Sequence, residues 1–230
     1  MSVTKTAKSV VKKVIKSALP TYRRESALSK RLVADIEQLG FERVRQQHSA
    51  FQDNSRKYLQ LQEYFPEAVR LAGRLGLLDS KPLRVLDIGC GSGYFLYVAK
   101  RSGHDVIGLD LPDNPLYNDS VQLLGIPRVA NRVEKFQPLP DFGKPFDLIT
   151  AFSVCFDLHS TENVWGPDEW KFFLNDCRSR LNPNGRVFLN FNPATTRDFR
   201  FVPDKVAAFL RSLPEGNLTA SKEFFTLVRA

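Results

Sequence analysis

Gly89, Gly91 and Gly93 alternate with small residues directly after the run Val85-Leu86-Asp87-Ile88. Glycine takes a positive φ without strain, and having no Cβ it lets a bound molecule lie against the backbone. Glycines packed this closely weaken a strand or a helix. The segment therefore reads as a binding loop between a buried strand and a helix start. Further along, Asp105-Val106-Ile107-Gly108-Leu109-Asp110 reads as a second strand that ends in a carboxylate. A carboxylate there accepts hydrogen bonds from ribose hydroxyls, so the loop and Asp110 together fit recognition of a nucleoside.

The glycine spacing narrows the choice of nucleoside. In a G-x-G-x-x-G dinucleotide fingerprint the third glycine would fall on Tyr94 counting from Gly89, or on Leu96 counting from Gly91. A large side chain at that point obstructs helix–strand packing and the approach of a pyrophosphate. No G-x-x-x-x-G-K-[ST] loop occurs, which argues against a P-loop nucleotidase. The pattern present is acidic-x-G-x-G-x-G. It matches the signature of the Rossmann-like (class I) S-adenosylmethionine-dependent methyltransferases, and the chain resembles that family over roughly residues 80–230. The resemblance rests also on the strand Pro145-Phe146-Asp147-Leu148-Ile149 and on the turn Leu181-Asn182-Pro183-Asn184-Gly185.

The resemblance implies S-adenosylmethionine as cofactor, held by Asp87, Gly89, Cys90, Gly91, Gly93, Asp110, Leu111 and Phe152. The glycine loop would position the methionine and ribose portions. Asp87 would orient the loop near the amino-acid end, and Asp110 would bind the ribose diol. A purely structural Asp87 and an Asp110 that caps a helix or turn are the alternatives. Many members carry an acidic residue after the third strand to meet the adenine amine. Here that place reads Glu134-Lys135-Phe136-Gln137, and Phe136 or Gln137 is expected to fill the role. No resident metal is implied.

Methyl transfer from a sulfonium is an in-line displacement. It demands alignment, exclusion of water and, for a hydroxyl acceptor, removal of a proton. Alignment alone supplies about 7–11 kcal/mol of such a barrier, so no fixed catalytic constellation is required. In open α/β sheets the pocket lies beyond the carboxyl ends of the strands, so the stretch Phe152–His159 faces the acceptor. His159 is the candidate proton acceptor and Asp157 its orienting carboxylate. A capping histidine and a surface aspartate are the plainer readings. Ser160–Trp165 has the composition of a closing loop. Trp165 and Trp170 are candidates to stack on a ring, although Trp170 sits on an apolar helix face that suits a core. His48 and His104 fall in a polar helix and a turn and read as solvated.

The elements that must position these residues begin in a basic leader. Of the formal net charge of +8, seven charges come from residues 1–24, which hold no acid; one is left for the rest. In residues 2–19, Val3, Ala7, Val10, Val11, Val14, Ile15, Ala18 and Leu19 recur at helical steps opposite Lys5, Lys12, Lys13 and Lys16. Pro20 is expected to close this helix. Such a segment suits peripheral contact with an anionic membrane, packing on the body being the alternative. Residues 25–80 read as a helical cap. One helix ends at Gly40, a second contains Phe51, Tyr58, Leu59 and Leu61, and a third opens at Pro66. From residue 81 to 230 strands and helices alternate. Strands are expected at Leu83–Ile88, Val106–Leu109, Arg128–Val133, Phe146–Phe152, Arg186–Phe191 and Phe224–Val228, with helices at Tyr94–Arg101, Pro115–Leu124, from Gly166 and at Pro203–Leu213. The closing hairpin after the fifth strand is expected to be trimmed. This alternation defines an α/β class: a doubly wound, mostly parallel Rossmann-like sheet with an N-terminal helical extension.

The chain is long enough for a full core. Its three cysteines, Cys90, Cys155 and Cys177, form neither a metal motif nor a disulfide framework, so a reducing compartment is expected. No apolar run approaches the ~20 residues that span a bilayer. The expected function is methyl transfer to oxygen or nitrogen of a small-molecule, lipid or glycan acceptor, in the cytoplasm and peripherally on the inner face of a membrane. A nucleic-acid partner is disfavoured, because the body lacks a basic surplus. A non-catalytic protein that keeps the cofactor fold is the alternative. A nicotinamide-dependent oxidoreductase is a third reading that the glycine spacing opposes.

Overall fold

The computed structural model describes residues 3–154, 164–193 and 201–229, with side chains from Pro20 onward. Contacts divide the chain into two compact units, residues 1–78 and 79–230.

The first unit is helical. α1 runs from Val3 to Gln38, α2 from Phe41 to Gln47 and α3 from Leu61 to Arg74. The expected stop at Pro20 is not there: Pro20 lies inside α1. A proline removes one i→i−4 bond but does not oblige a helix to end. The expected second helix is replaced by α2 and a 3-10 turn over Asn54–Leu59, with Phe51 in the loop between them. Asp53 caps that turn by accepting the N–H of Ser55 at 2.7 Å. Pro66 does not open α3 but sits within it. Leu32, Ile36, Phe41, Leu61, Phe65 and Val69 form this unit's core.

The second unit is a seven-stranded sheet in the order β3-β2-β1-β4-β5-β7-β6. β1 (Arg84–Ile88), β2 (Asp105–Asp110), β3 (Arg128–Ala130), β4 (Phe146–Phe152) and β5 (Leu181–Asn190) are parallel. β7 (Phe224–Val228) runs antiparallel between β5 and β6 (Gly216–Leu218). The helices are α4 (Tyr94–Arg101), α5 (Pro115–Leu123), α6 (Pro167–Ser179) and α7 (Asp204–Ser212). The central strands are nearly continuous in apolar residues, as a sheet covered on both faces requires. Val85, Leu86, Leu148, Ile149 and Val187 are fully buried.

Several expectations shift. β3 stops at Ala130 rather than Val133. β5 starts earlier, at Leu181, with a register irregularity against β4 and with Asn184 at φ 63. The closing hairpin is present, with β6 shortened to three residues. His104 is not solvated: it is buried, and its Nδ1 accepts the N–H of Leu83 at 3.0 Å, tying the turn before β2 to the approach of β1. His48 is buried too. Trp165 and Trp170 both belong to the core. Their rings meet edge to face at 5.3 Å, and each is nearly inaccessible, which rules out stacking on a ligand in this conformation.

Candidate cofactor site

Strand order reverses between β1 and β4, and the loop after β1 lies at that switch point. Gly89, Gly91 and Gly93 all adopt positive φ, at 71°, 52° and 76°. Gly89 N–H donates to the Leu109 carbonyl of the neighbouring strand at 2.7 Å, and Gly93 N–H closes the loop on itself by donating to the carbonyl of Cys90 at 2.9 Å. Each glycine answers a different neighbour. A Cβ on Gly89 would lie 2.3 Å from Cγ2 of Val154, and one on Gly93 would press on Val121 at 3.3 Å. A Cβ on Gly91 would meet nothing nearer than the Tyr117 ring at 3.8 Å.

Asp110, at the end of β2, joins this loop directly. Its Oδ2 accepts the Gly91 N–H at 2.6 Å and its Oδ1 accepts the N–H of Leu111 at 2.7 Å. The carboxylate thus shapes the loop. Each oxygen accepts only one of these bonds, and an ionised carboxylate has about four lone-pair sites, so capacity for diol hydroxyls remains.

Asp87 lies deeper. It is 3% exposed, pairs in register with Gly108 on β2 and Thr150 on β4, and its Oδ1 lies 2.7 Å from Thr150 Oγ1. Burial pushes its carboxyl up to about 8; the Thr150 hydrogen bond opposes the rise and Asp110 adds to it. Cys90 fills the space over Gly108, where a Cβ would lie 2.6 Å from its Sγ. Burial pushes that thiol well above its ordinary range, with Asp87 and Asp110 adding to the effect, so Cys90 is a packing group and not a nucleophile.

The structure therefore gathers Asp87, Gly89, Cys90, Gly91, Gly93, Asp110 and Leu111 around one loop. Phe152 closes β4, with its ring 4.7 Å from that of Phe95 on α4. Phe136 and Gln137 are exposed on the segment after β3; Phe136 takes φ 56 and packs edge to face on Phe172 at 5.9 Å. His159 and Asp157 lie outside the described residues. Sequence reasoning missed Thr150, Gly108 and Val154. Gly108 carried a signal, since a glycine within a strand marks close approach of another group. Thr150 sits in an apolar run and carried none.

The donor set fits a nucleoside-sulfonium cofactor. A Cβ on Gly91 would make only ordinary contact with the Tyr117 ring, Asp110 offers acceptors for a diol, and the hydroxyl of Ser92 is buried within the loop without a hydrogen-bond partner. Among the described residues, no group of three His, Cys, Asp or Glu is placed to hold a metal ion.

Comparison with known proteins agrees with this geometry. The methyltransferase domain family matches residues 36–204. A ubiquinone biosynthesis O-methyltransferase of Azorhizobium caulinodans is 31% identical over 137 residues, 59% of this chain and 51% of that protein. The protein of the same name from Rhizobium etli is 28% identical over 136 residues, 58% of this chain and 51% of that one. The chain thus spans about half the length of these curated relatives. The solved structure of Streptomyces venezuelae DesVI superposes with a TM-score of 0.52 at 15% identity, covering 73% of this chain and 92% of that one, a likeness of fold. The chain belongs to the class I S-adenosylmethionine-dependent methyltransferase family.

Proposed function

We propose that the protein transfers a methyl group from S-adenosylmethionine to an oxygen atom of a small-molecule or lipid acceptor. The observation that carries the reading is the clasp of Asp110 on Gly91 at the switch point of the sheet. It fixes an acceptor group for a ribose beside a backbone that a ligand can touch. Relatives whose names specify O-methylation in ubiquinone biosynthesis support oxygen as the acceptor atom. When bound, the cofactor supplies an electrophilic methyl on a positively charged sulfur. The residues of this chain supply the rest. Asp110 and the glycine loop hold and orient the donor, and the ring of buried Phe95 against half-buried Phe152 restricts water at the end of β4. His159, assisted by Asp157, takes the proton from the acceptor hydroxyl. The basic leader, residues 2–19, brings the enzyme to an anionic membrane surface where a lipid acceptor would reside.

Titration calorimetry with S-adenosylmethionine, S-adenosylhomocysteine and NAD tests the cofactor. Saturable binding of the first two is expected, with Asp110→Ala weakening both at least tenfold, about 1.4 kcal/mol. Binding of NAD alone would overturn the reading. Transfer of a labelled methyl group into fractionated lysate then tests the acceptor. Label in a small-molecule or lipid fraction is expected, and label confined to RNA or protein rejects that part.

A further inference from the structure

At the carboxyl end of the sheet the strands stop in one transverse row. Leu109 of β2 pairs with Ile88 of β1, Ile88 with Ala151 of β4, and Ala151 with Leu189 of β5. These four residues are buried. One step farther along the chain stand Asp110, Gly89, Phe152 and Asn190, and each of them is half-buried. Side chains alternate along a strand, so Asp110, Phe152 and Asn190 share a face with Gly108, Thr150 and Phe188. On that face the Phe152 ring meets Phe95 of α4, and Leu96 of α4 lies over Gly108. The row thus leads from Asp110, past the first glycine of the loop, to Asn190. There the carboxamide is held at one end. Asn190 Oδ1 accepts the Ser153 hydroxyl at 2.9 Å, and the Asn190 carbonyl accepts the Ser153 N–H at 2.8 Å. Ser153 reaches this position on a left-handed backbone, φ 53, which serine seldom adopts. The bond commits Oδ1 to Ser153 and leaves both N–H groups of Nδ2 without a partner among the described residues.

We propose that Asn190 Nδ2 holds the acceptor oxygen, that Ser153 positions the carboxamide for it, and that the pair makes the transfer selective for oxygen over nitrogen. The proposal rests on the methyl-donor reading above. The span agrees with it. β2, β1, β4 and β5 are neighbours in that order, so Asp110 and Asn190 stand three strand spacings apart, about 14 Å. A hydrogen bond at each end and a near-attack gap use about 9 Å of this and leave about 5 Å, the reach from a ribose hydroxyl across the sugar to a methyl group on its sulfur. The selectivity follows from lone pairs. A hydroxyl oxygen has two lone pairs and one proton. One pair accepts from Asn190 Nδ2, the other attacks the methyl carbon, and the proton leaves to the base. The O–C bond forms as the C–S bond breaks, and the electron pair of the broken bond stays on sulfur. A neutral amine has a single lone pair. Bound to the same N–H, it has none left for attack.

Transfer of a trideuterated methyl group into the small-molecule and lipid extract of a lysate, read by mass spectrometry, tests the pair. Wild type is expected to label oxygen. Asn190→Leu should lower that labelling roughly 100-fold, the cost of a misplaced reactant. It should also raise the share of N-methyl product, because the lone pair of an amine is no longer engaged. Ser153→Gly keeps the left-handed turn but frees the carboxamide to rotate, so it should act in the same direction and by less. By calorimetry both variants should bind S-adenosylhomocysteine as tightly as wild type. Oxygen labelling by Asn190→Leu at the wild-type level overturns the proposal, and so does a wild type that binds the cofactor and labels nitrogen alone. An affinity for S-adenosylhomocysteine that falls in step with transfer in both variants overturns it too, because the pair then serves the cofactor or the fold. A wild type that binds neither S-adenosylmethionine nor S-adenosylhomocysteine rejects the cofactor reading instead.

Discussion

Gly89 and Gly91 share a left-handed backbone but not a neighbourhood, and that difference can be measured. An alanine at either site bears the left-handed penalty of roughly 1–2 kcal/mol. At Gly91 the new methyl group makes ordinary contact with the Tyr117 ring; at Gly89 it must displace Val154. Gly89→Ala is therefore expected to cost about 1 kcal/mol or more beyond Gly91→Ala in urea unfolding, since overpacking adds to the backbone strain. Gly91→Ala should act mainly on ligand affinity, because the new methyl group displaces nothing within the protein. Equal stability losses would remove Val154 as the reason for the first glycine. Asp87 gives a second prediction at this scale. Its folded-state value, raised to about 8 from 3.8, means that the native chain holds a proton which the unfolded chain releases. That contribution to stability is fully present below about pH 4 and is lost as pH rises through about 8, at up to about 1.4 kcal/mol per pH unit. In ligand-free protein, Asp87→Asn should flatten the decline in unfolding free energy over that window. Parallel curves for variant and wild type would contradict the buried, proton-bearing carboxyl.

The elements show what sequence pattern can and cannot convey. β1, β2, β4 and β7 are legible because apolar, β-branched and aromatic residues dominate them between turn signals, despite Asp87 in β1 and Asp147 in β4. The glycine loop is legible because its spacing has one geometric use. β6 is not, since three residues opening Gly216-Asn217 carry no periodicity. The burial of His104 escapes for another reason: its partner Leu83 is distant in sequence, and a turn histidine gives no hint of a backbone N–H waiting for it. Pro20 misleads through a rule that describes a cost rather than a prohibition. It has no N–H to offer the carbonyl of Lys16, yet α1 continues on both sides. Pro20→Ala restores that bond and removes about 3 kcal/mol of local penalty. Amide exchange around residues 16–24 should slow in the variant, and helical ellipticity should increase. Unchanged exchange there would argue against a helix that continues through residue 20.

At the scale of the whole molecule, charge and chemistry are segregated along the chain. The second unit, residues 79–230, contains the glycine loop, Asp110 and Asp87, and the body as a whole carries a net charge of about one. The basic surplus is concentrated in the first two dozen residues, and five lysines fall before Pro20. No described helix is long and apolar enough to cross a membrane. Each lysine near an anionic surface contributes about 1 kcal/mol, an attraction screened within about 10 Å at ordinary salt. Removing residues 1–19 should therefore abolish flotation with vesicles rich in anionic lipid while leaving the affinity for S-adenosylhomocysteine unchanged. The full chain should also lose its vesicles in high salt and should ignore zwitterionic ones. If the shortened protein floats as well as the full chain, the membrane contact must be sought elsewhere on the molecule. If ligand affinity falls together with flotation, the leader serves the cofactor site rather than a surface.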